Sequence, residues 1–136
     1  MIKNHKDLNG IIVAQFFDLN LFEGTIFPTA ADMPMQFGYS QNNENRSIKK
    51  HIHNKIERIL KGTSEFIYVI SGKMTIELFD QNGNYIDFVT LNENQALLQF
   101  SGGHSFEIEA GTKFFEIKQG PYLGSEKDKS YENTRK

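Results

Sequence analysis

From residue 10 to residue 118 the chain reads as about ten short apolar or alternating runs, cut by turns rich in Gly, Asn, Asp and Ser. That pattern argues for an all-β sandwich or barrel, because no stretch sustains a helical period long enough for a packed helix. Residues 10–17 (GIIVAQFF) predict a buried strand, and residues 21–28 and 35–40 two more. Residues 42–46 (NNENR) predict a polar turn, and residues 47–53 alternate so that Ser47, Lys49, His51 and His53 would share one strand face. Residues 56–60 form another short run before the Lys61-Gly62-Thr63 turn.

The second half carries the clearest signals. Residues 65–70 (EFIYVI) are the strongest strand candidate and turn through Ser71-Gly72 into residues 73–79 (KMTIELF), where Met74, Ile76 and Leu78 alternate with Lys73, Thr75 and Glu77. Asn82-Gly83 marks a hairpin, since both residues accept a positive φ. Residues 85–91, 96–100, 104–109 and 113–118 complete the set. Phe66, Tyr68 and Ile70 have the opposite parity to Glu65 and are assigned to packing.

Two function classes are disfavoured at the outset. Fifteen basic and 17 acidic side chains leave a net charge of -2, which gives no global field for nucleic acid or anionic lipid. The one basic cluster, Lys49, Lys50, Lys55 and Arg58, is short and interrupted by two histidines. With no cysteine, disulfides and thiolate chemistry are out. No run approaches the ~20 apolar residues of a membrane helix, and MIKNHKDLNG lacks the apolar core of a signal peptide. A soluble, cytoplasmic protein is expected.

Three of the four histidines stand where a metal site could form. His51 and His53 flank one residue, so on a strand both imidazoles face one cavity. Taken alone, an exposed pair on an edge strand accounts for them equally well. Glu65 opens the strongest strand, and His104 follows Ser101-Gly102-Gly103, where glycine lets the backbone turn a side chain inward. Separately, each has a bland account, a solvated strand start and a loop histidine.

Together the order is His-x-His, then Glu-x6-Gly at a strand start, a hairpin, and Gly-Gly-His before another strand. HIHNKIERILKGTSEFIYVISG and LLQFSGGHSFE thus resemble the two motifs of the cupin superfamily. The resemblance implies a single-domain antiparallel jelly-roll barrel over residues 1–122, with N-terminal strands; the abrupt change after Tyr122 to a polar, charged stretch almost free of aliphatics predicts a disordered tail over residues 123–136. It implies His51, His53, Glu65 and His104 as ligands of a divalent metal: Zn, Fe, Mn, Ni or Co. Eleven residues separate His53 from Glu65, more than is usual; Glu57, three residues after His53, keeps the usual gap and is a rival ligand. Glu65 is preferred because it alone carries the spacing to Gly72 and starts a strand. The second motif lacks the usual proline, with Gln99 and Ser101 in its neighbourhood.

The ending FEIKQGPY, followed by Lys127-Asp128-Lys129, resembles WbuC-type cupin-fold metalloproteins of bacterial polysaccharide clusters. The expected ligand is then a small oxygenated molecule: a sugar, sugar nucleotide or sugar acid. The reaction class named first is metal-assisted isomerisation or epimerisation, whose base must come from outside the ligand set. The alternatives are a metal-free sugar-nucleotide ketoisomerase using His51 and His53, a non-catalytic binding module, and an iron-dependent dioxygenase. Secondary candidates for substrate contact are Lys49, Arg58, Glu116 and Lys118, each of which is otherwise a surface group. A homodimer is expected, with the apolar run at residues 11–17 as its interface strand.

Overall fold

In the computed structural model, residues 1–131 are described, and they form an antiparallel all-β fold. The strands are β1 (Ile2–Lys6), β2 (Ile12–Asp18), β3 (Thr25–Ile26), β4 (Tyr39–Ser40), β5 (Glu65–Ser71), β6 (Lys73–Phe79), β7 (Tyr85–Asn92), β8 (Gln95–Gln99), β9 (Gly103–Ile108) and β10 (Lys113–Lys118). A five-stranded sheet runs β1-β2-β8-β5-β10, a three-stranded sheet runs β7-β6-β9, and β3 pairs with β4. A single helical turn, α1 (Ser125–Asp128), lies within the stretch read as a tail; residues 132–136 of that tail lie outside the described residues.

The alternation in β6 shows how sequence becomes architecture. Met74, Ile76 and Leu78 are each fully buried, while Lys73 and Glu77 between them are exposed. They pack with Ile67, Val69 and Leu97 of the larger sheet and Val89 and Leu91 of β7, so the main core lies between the two larger sheets. The other face of the five-stranded sheet is also covered. Phe17, Ala96 and Leu98 pack beneath Phe22, Met33, Met35 and Phe37. Phe37 stacks between Phe17 and Phe66, with ring centroids 4.4 and 5.3 Å apart.

Three expectations are corrected. Residues 21–28 and 35–40 supply only the two-residue strands β3 and β4; their aromatics cover the sheet as a loop layer instead of joining it. Residues 47–53 and 56–60 form no strand. Residues 41–63 are exposed throughout and have no regular structure, because no neighbouring strand offers a ladder to them. The apolar run at residues 11–17 is not an open edge: β2 is paired on both sides, by β1 and β8. The edge on that side is β1, whose polar sequence IKNHK gives little strand signal. Its one buried side chain is His5, 3% exposed, whose Nδ1 lies 3.0 Å from Asp87 Oδ2 on β7 and so links the two sheets.

Candidate functional site

Register places the chemistry at one end of the core. Gln99 of β8 pairs with Glu65 of β5, and Glu65 pairs with Lys118 of β10, so these three form one row across the larger sheet. Glu65 shares its face with the fully buried Ile67 and Val69, so it points inward. His104 of β9 pairs with Leu78, on the core-facing side of β6, and meets the row from the opposite sheet. Its Nε2 lies 3.6 Å from Glu65 Oε2. Phe106 stacks against the imidazole with ring centroids 4.4 Å apart, which fixes the ring plane.

Gln99 determines which nitrogen of His104 is free. Its Nε2 donates to the carbonyls of Ser101 at 3.0 Å and Gly103 at 3.1 Å. The amide is thereby oriented with Oε1 toward His104 Nδ1, 2.7 Å away. A carbonyl oxygen only accepts, so Nδ1 carries the hydrogen and the Nε2 lone pair faces Glu65. Burial lowers the His104 pKa, which keeps the ring neutral.

Glu65 is held in a setting that opposes its charge. Burial, followed by a hydrogen bond and the charge of Glu116, raises its pKa from 4.5 to about 8. Glu116 moves the other way, held low first by that same bond. The two carboxyl groups share one proton. Glu65 Oε1 is buried and has no hydrogen-bond partner. At neutral pH an unfolded chain would have released the proton that the folded chain keeps. Stability from this group is therefore present below pH 4.5 and is lost as pH rises toward 8. Glu65→Gln removes the titration: the melting-temperature difference between variant and metal-free wild type is expected to grow in the variant's favour from pH 5 to pH 8, read by calorimetry.

The loop before His104 is built for this approach. Gly102 has φ +78°, and a Cβ there would collide with the carbonyl oxygen of Phe79. Gly102→Ala is expected to destabilise the fold by about 1–2 kcal/mol from the left-handed backbone alone, with the clash in addition. Chemical denaturation measures the loss.

The donor set fits a divalent ion in part. A neutral imidazole nitrogen and a carboxylate oxygen suit such an ion. Bonds of about 2.0–2.2 Å would bring neighbouring donors to about 3 Å, so the observed 3.6 Å needs only a small closure. The orphaned Oε1 is a second available oxygen. His51 and His53 are not at this place. They lie in the exposed segment, ring centroids 5.2 Å apart, with His51 Nδ1 3.0 Å from the Lys49 carbonyl oxygen. Among the described residues no three His, Asp or Glu side chains converge as a ready metal site.

The remaining candidates divide the same way. Lys49, Glu57 and Arg58 are exposed in the irregular segment, and Arg58 closes no ion pair among the described residues. Strand parity, which would have aligned Lys49 with the histidines, does not apply there. Glu116 and Lys118 are exposed at the open end of the row, on the β10 face that turns Phe114 to the core. Sequence reasoning assigned no role to Gln99; its place five residues before His104, across a glycine turn, was the available signal. Among the described residues no helix is long and apolar enough to cross a membrane. No family model, curated protein or solved structure matches the chain.

Proposed function

We propose that the chain is a cupin-type jelly roll that holds one divalent ion on His51, His53, Glu65 and His104. In this proposal it binds a small oxygenated ligand of the sugar, sugar-nucleotide or sugar-acid kind, and isomerises or epimerises it. The observation that carries the proposal is the Gln99–His104–Glu65 arrangement: a neutral imidazole whose Nε2 lone pair faces the buried Glu65 carboxyl group 3.6 Å away, with Glu65 Oε1 buried and unbonded. Two donors come from the preformed end of the core. The other two arrive when the segment carrying His51 and His53 folds down onto it. That segment exposes Ile48, Ile52, Ile56, Ile59 and Leu60, between 40% and 82% each, and closure gives these aliphatics a surface to bury.

The ion would supply polarisation of a ligand oxygen. The protein supplies the rest. Gln99 keeps Nδ1 of His104 protonated and Nε2 available. Glu116, the exposed carboxylate hydrogen-bonded to Glu65, would take and return a proton at its own carboxylate, as the base that the ligand set cannot provide. A role in surface-glycan metabolism is proposed on the family resemblance, and homodimerisation on the same ground.

With only four histidines, the test is direct. Imidazole NMR resonances are followed while zinc is added to the metal-free protein. The signals of His51, His53 and His104 are expected to shift together and saturate at one equivalent, while His5, committed to Asp87, stays still. A response confined to His51 and His53 would reduce them to a surface pair and favour the metal-free ketoisomerase.

A further inference from the structure

We propose that residues 46–61 form a membrane contact: on an anionic lipid surface they fold into an amphipathic helix that lies in the headgroup layer with its aliphatic side down. The proposal goes beyond the metal reading and does not rest on it.

The chain as a whole has no field for such a surface, but its charge is unevenly spread. Residues 46–61 hold six cations, Arg46, Lys49, Lys50, Lys55, Arg58 and Lys61, against one acid, Glu57, for a net charge of +5. With -2 overall, the other residues carry -7. A molecule so polarised turns the segment toward anionic lipid and its body away. Among the described residues none of the six cations closes an ion pair. The side-chain hydrogen bonds of the segment are local: Arg46 Nη1 donates to Asn42 Oδ1 at 3.3 Å, and His51 Nδ1 meets the Lys49 carbonyl oxygen.

The same segment leaves Ile48, Ile52, Ile56, Ile59 and Leu60 exposed. Their intervals of four, four, three and one residues put them along one side of a helix. Lys50, Arg58 and Lys61 then fall on the opposite side. Gly62 has φ +89°, the left-handed conformation that ends a helix. A lone helix of this length is marginal in water, which accounts for the irregular chain seen here. A headgroup layer supplies what water lacks, an apolar bed together with negative charge. The aliphatic side decides between anionic partners. A nucleic acid would take the cations and leave the aliphatics in water, and residues 41–63 hold no aromatic ring on which a base could stack.

On a helix His51 and His53 point about 200° apart, so the lipid-bound form cannot give both imidazoles to one metal ion. The two states exclude each other on any one molecule.

The test is co-sedimentation of the metal-free full chain with vesicles of phosphatidylcholine, alone or with about one-third phosphatidylserine. Partitioning at least about tenfold stronger to the anionic vesicles is expected, with a gain of helix in circular dichroism and release as salt rises from about 0.1 to about 0.5 M. Lys49→Gln with Lys50→Gln is expected to weaken it about twentyfold or more, roughly fivefold per charge. Ile52→Ser with Ile56→Ser leaves the charge alone and is expected to weaken it about tenfold or more. Lys73→Gln with Lys113→Gln removes the same charge from exposed positions on β6 and β10 and is expected to leave it unchanged. Melting temperatures of the three double variants check that each is folded. Equal partitioning to both vesicles, an equal loss in the β6–β10 variant, or no effect of the isoleucine pair would overturn the proposal. RNA bound as tightly as the anionic vesicles, and indifferent to the isoleucines, would assign the segment to nucleic acid instead. Zinc uptake, followed separately, keeps the two proposals apart. Vesicle binding without zinc uptake would remove the metal and leave the membrane contact standing. Zinc uptake without vesicle binding would do the reverse.

Discussion

Saturating the protein with a divalent metal is expected to convert residues 47–60 from freely exchanging to protected in amide hydrogen exchange. In the structure this segment is exposed and has no regular structure, so its amides are expected to exchange almost as in an unfolded chain. Two of the four proposed ligands lie in it, so binding must draw it onto the core. At a hundredfold excess of free ion over Kd the native state gains about 2.7 kcal/mol. That gain is net of the cost of ordering the segment, roughly 1–2 kcal/mol per residue for the backbone alone, which the metal–ligand bonds and new burial must offset and which weakens the apparent Kd. Burial of Ile48, Ile52, Ile56, Ile59 and Leu60 offsets part of it. Ile52→Ser and Ile56→Ser should therefore weaken metal binding while leaving metal-free stability within about 0.5 kcal/mol. Exchange mass spectrometry at several zinc concentrations provides the readout, and unchanged protection would show that the segment does not close.

Leu97→Ala is expected to have the opposite profile. Leu97 is fully buried on β8, between β2 and β5, and packs into the core against the facing sheet. Truncation removes apolar contacts and leaves a cavity that strands paired on both sides cannot collapse to fill. The cost is about 2–5 kcal/mol, which for a chain of this size lowers the melting temperature by roughly 10 °C or more. Thermal unfolding measures it. A shift of only a degree or two would mean that the two larger sheets do not pack through this residue.

These contrasting residues also show what could be read in advance. β6 and β10 occupy the residues that alternation assigned to them, 73–79 and 113–118, because each has turn residues at its ends and a neighbour to pair with. Glu65 and His104 come together because both sit beside such turns, on opposite sheets. Residues 47–53 carry the same period of two, yet periodicity supplies a face and not a partner. A strand exists only where another strand satisfies its backbone. β1 was missed for the converse reason: IKNHK has almost no apolar signal, and its pairing with β2 comes from a neighbour that the local pattern cannot see. Gln99 escaped notice because its role depends on where the fold carries it, across a turn to His104.

The central claim is one divalent ion shared by the preformed pair and the two histidines of the segment. Elemental analysis of protein purified without an affinity tag or added metal tests it most directly, on the wild type, His104→Ala and His51→Ala. Near one equivalent in the wild type, and loss of it in both variants, is the expected result; the element found would separate Lewis-acid chemistry from iron-dependent oxygen chemistry. A folded wild-type protein that carries no metal and takes up none on reconstitution would contradict the claim.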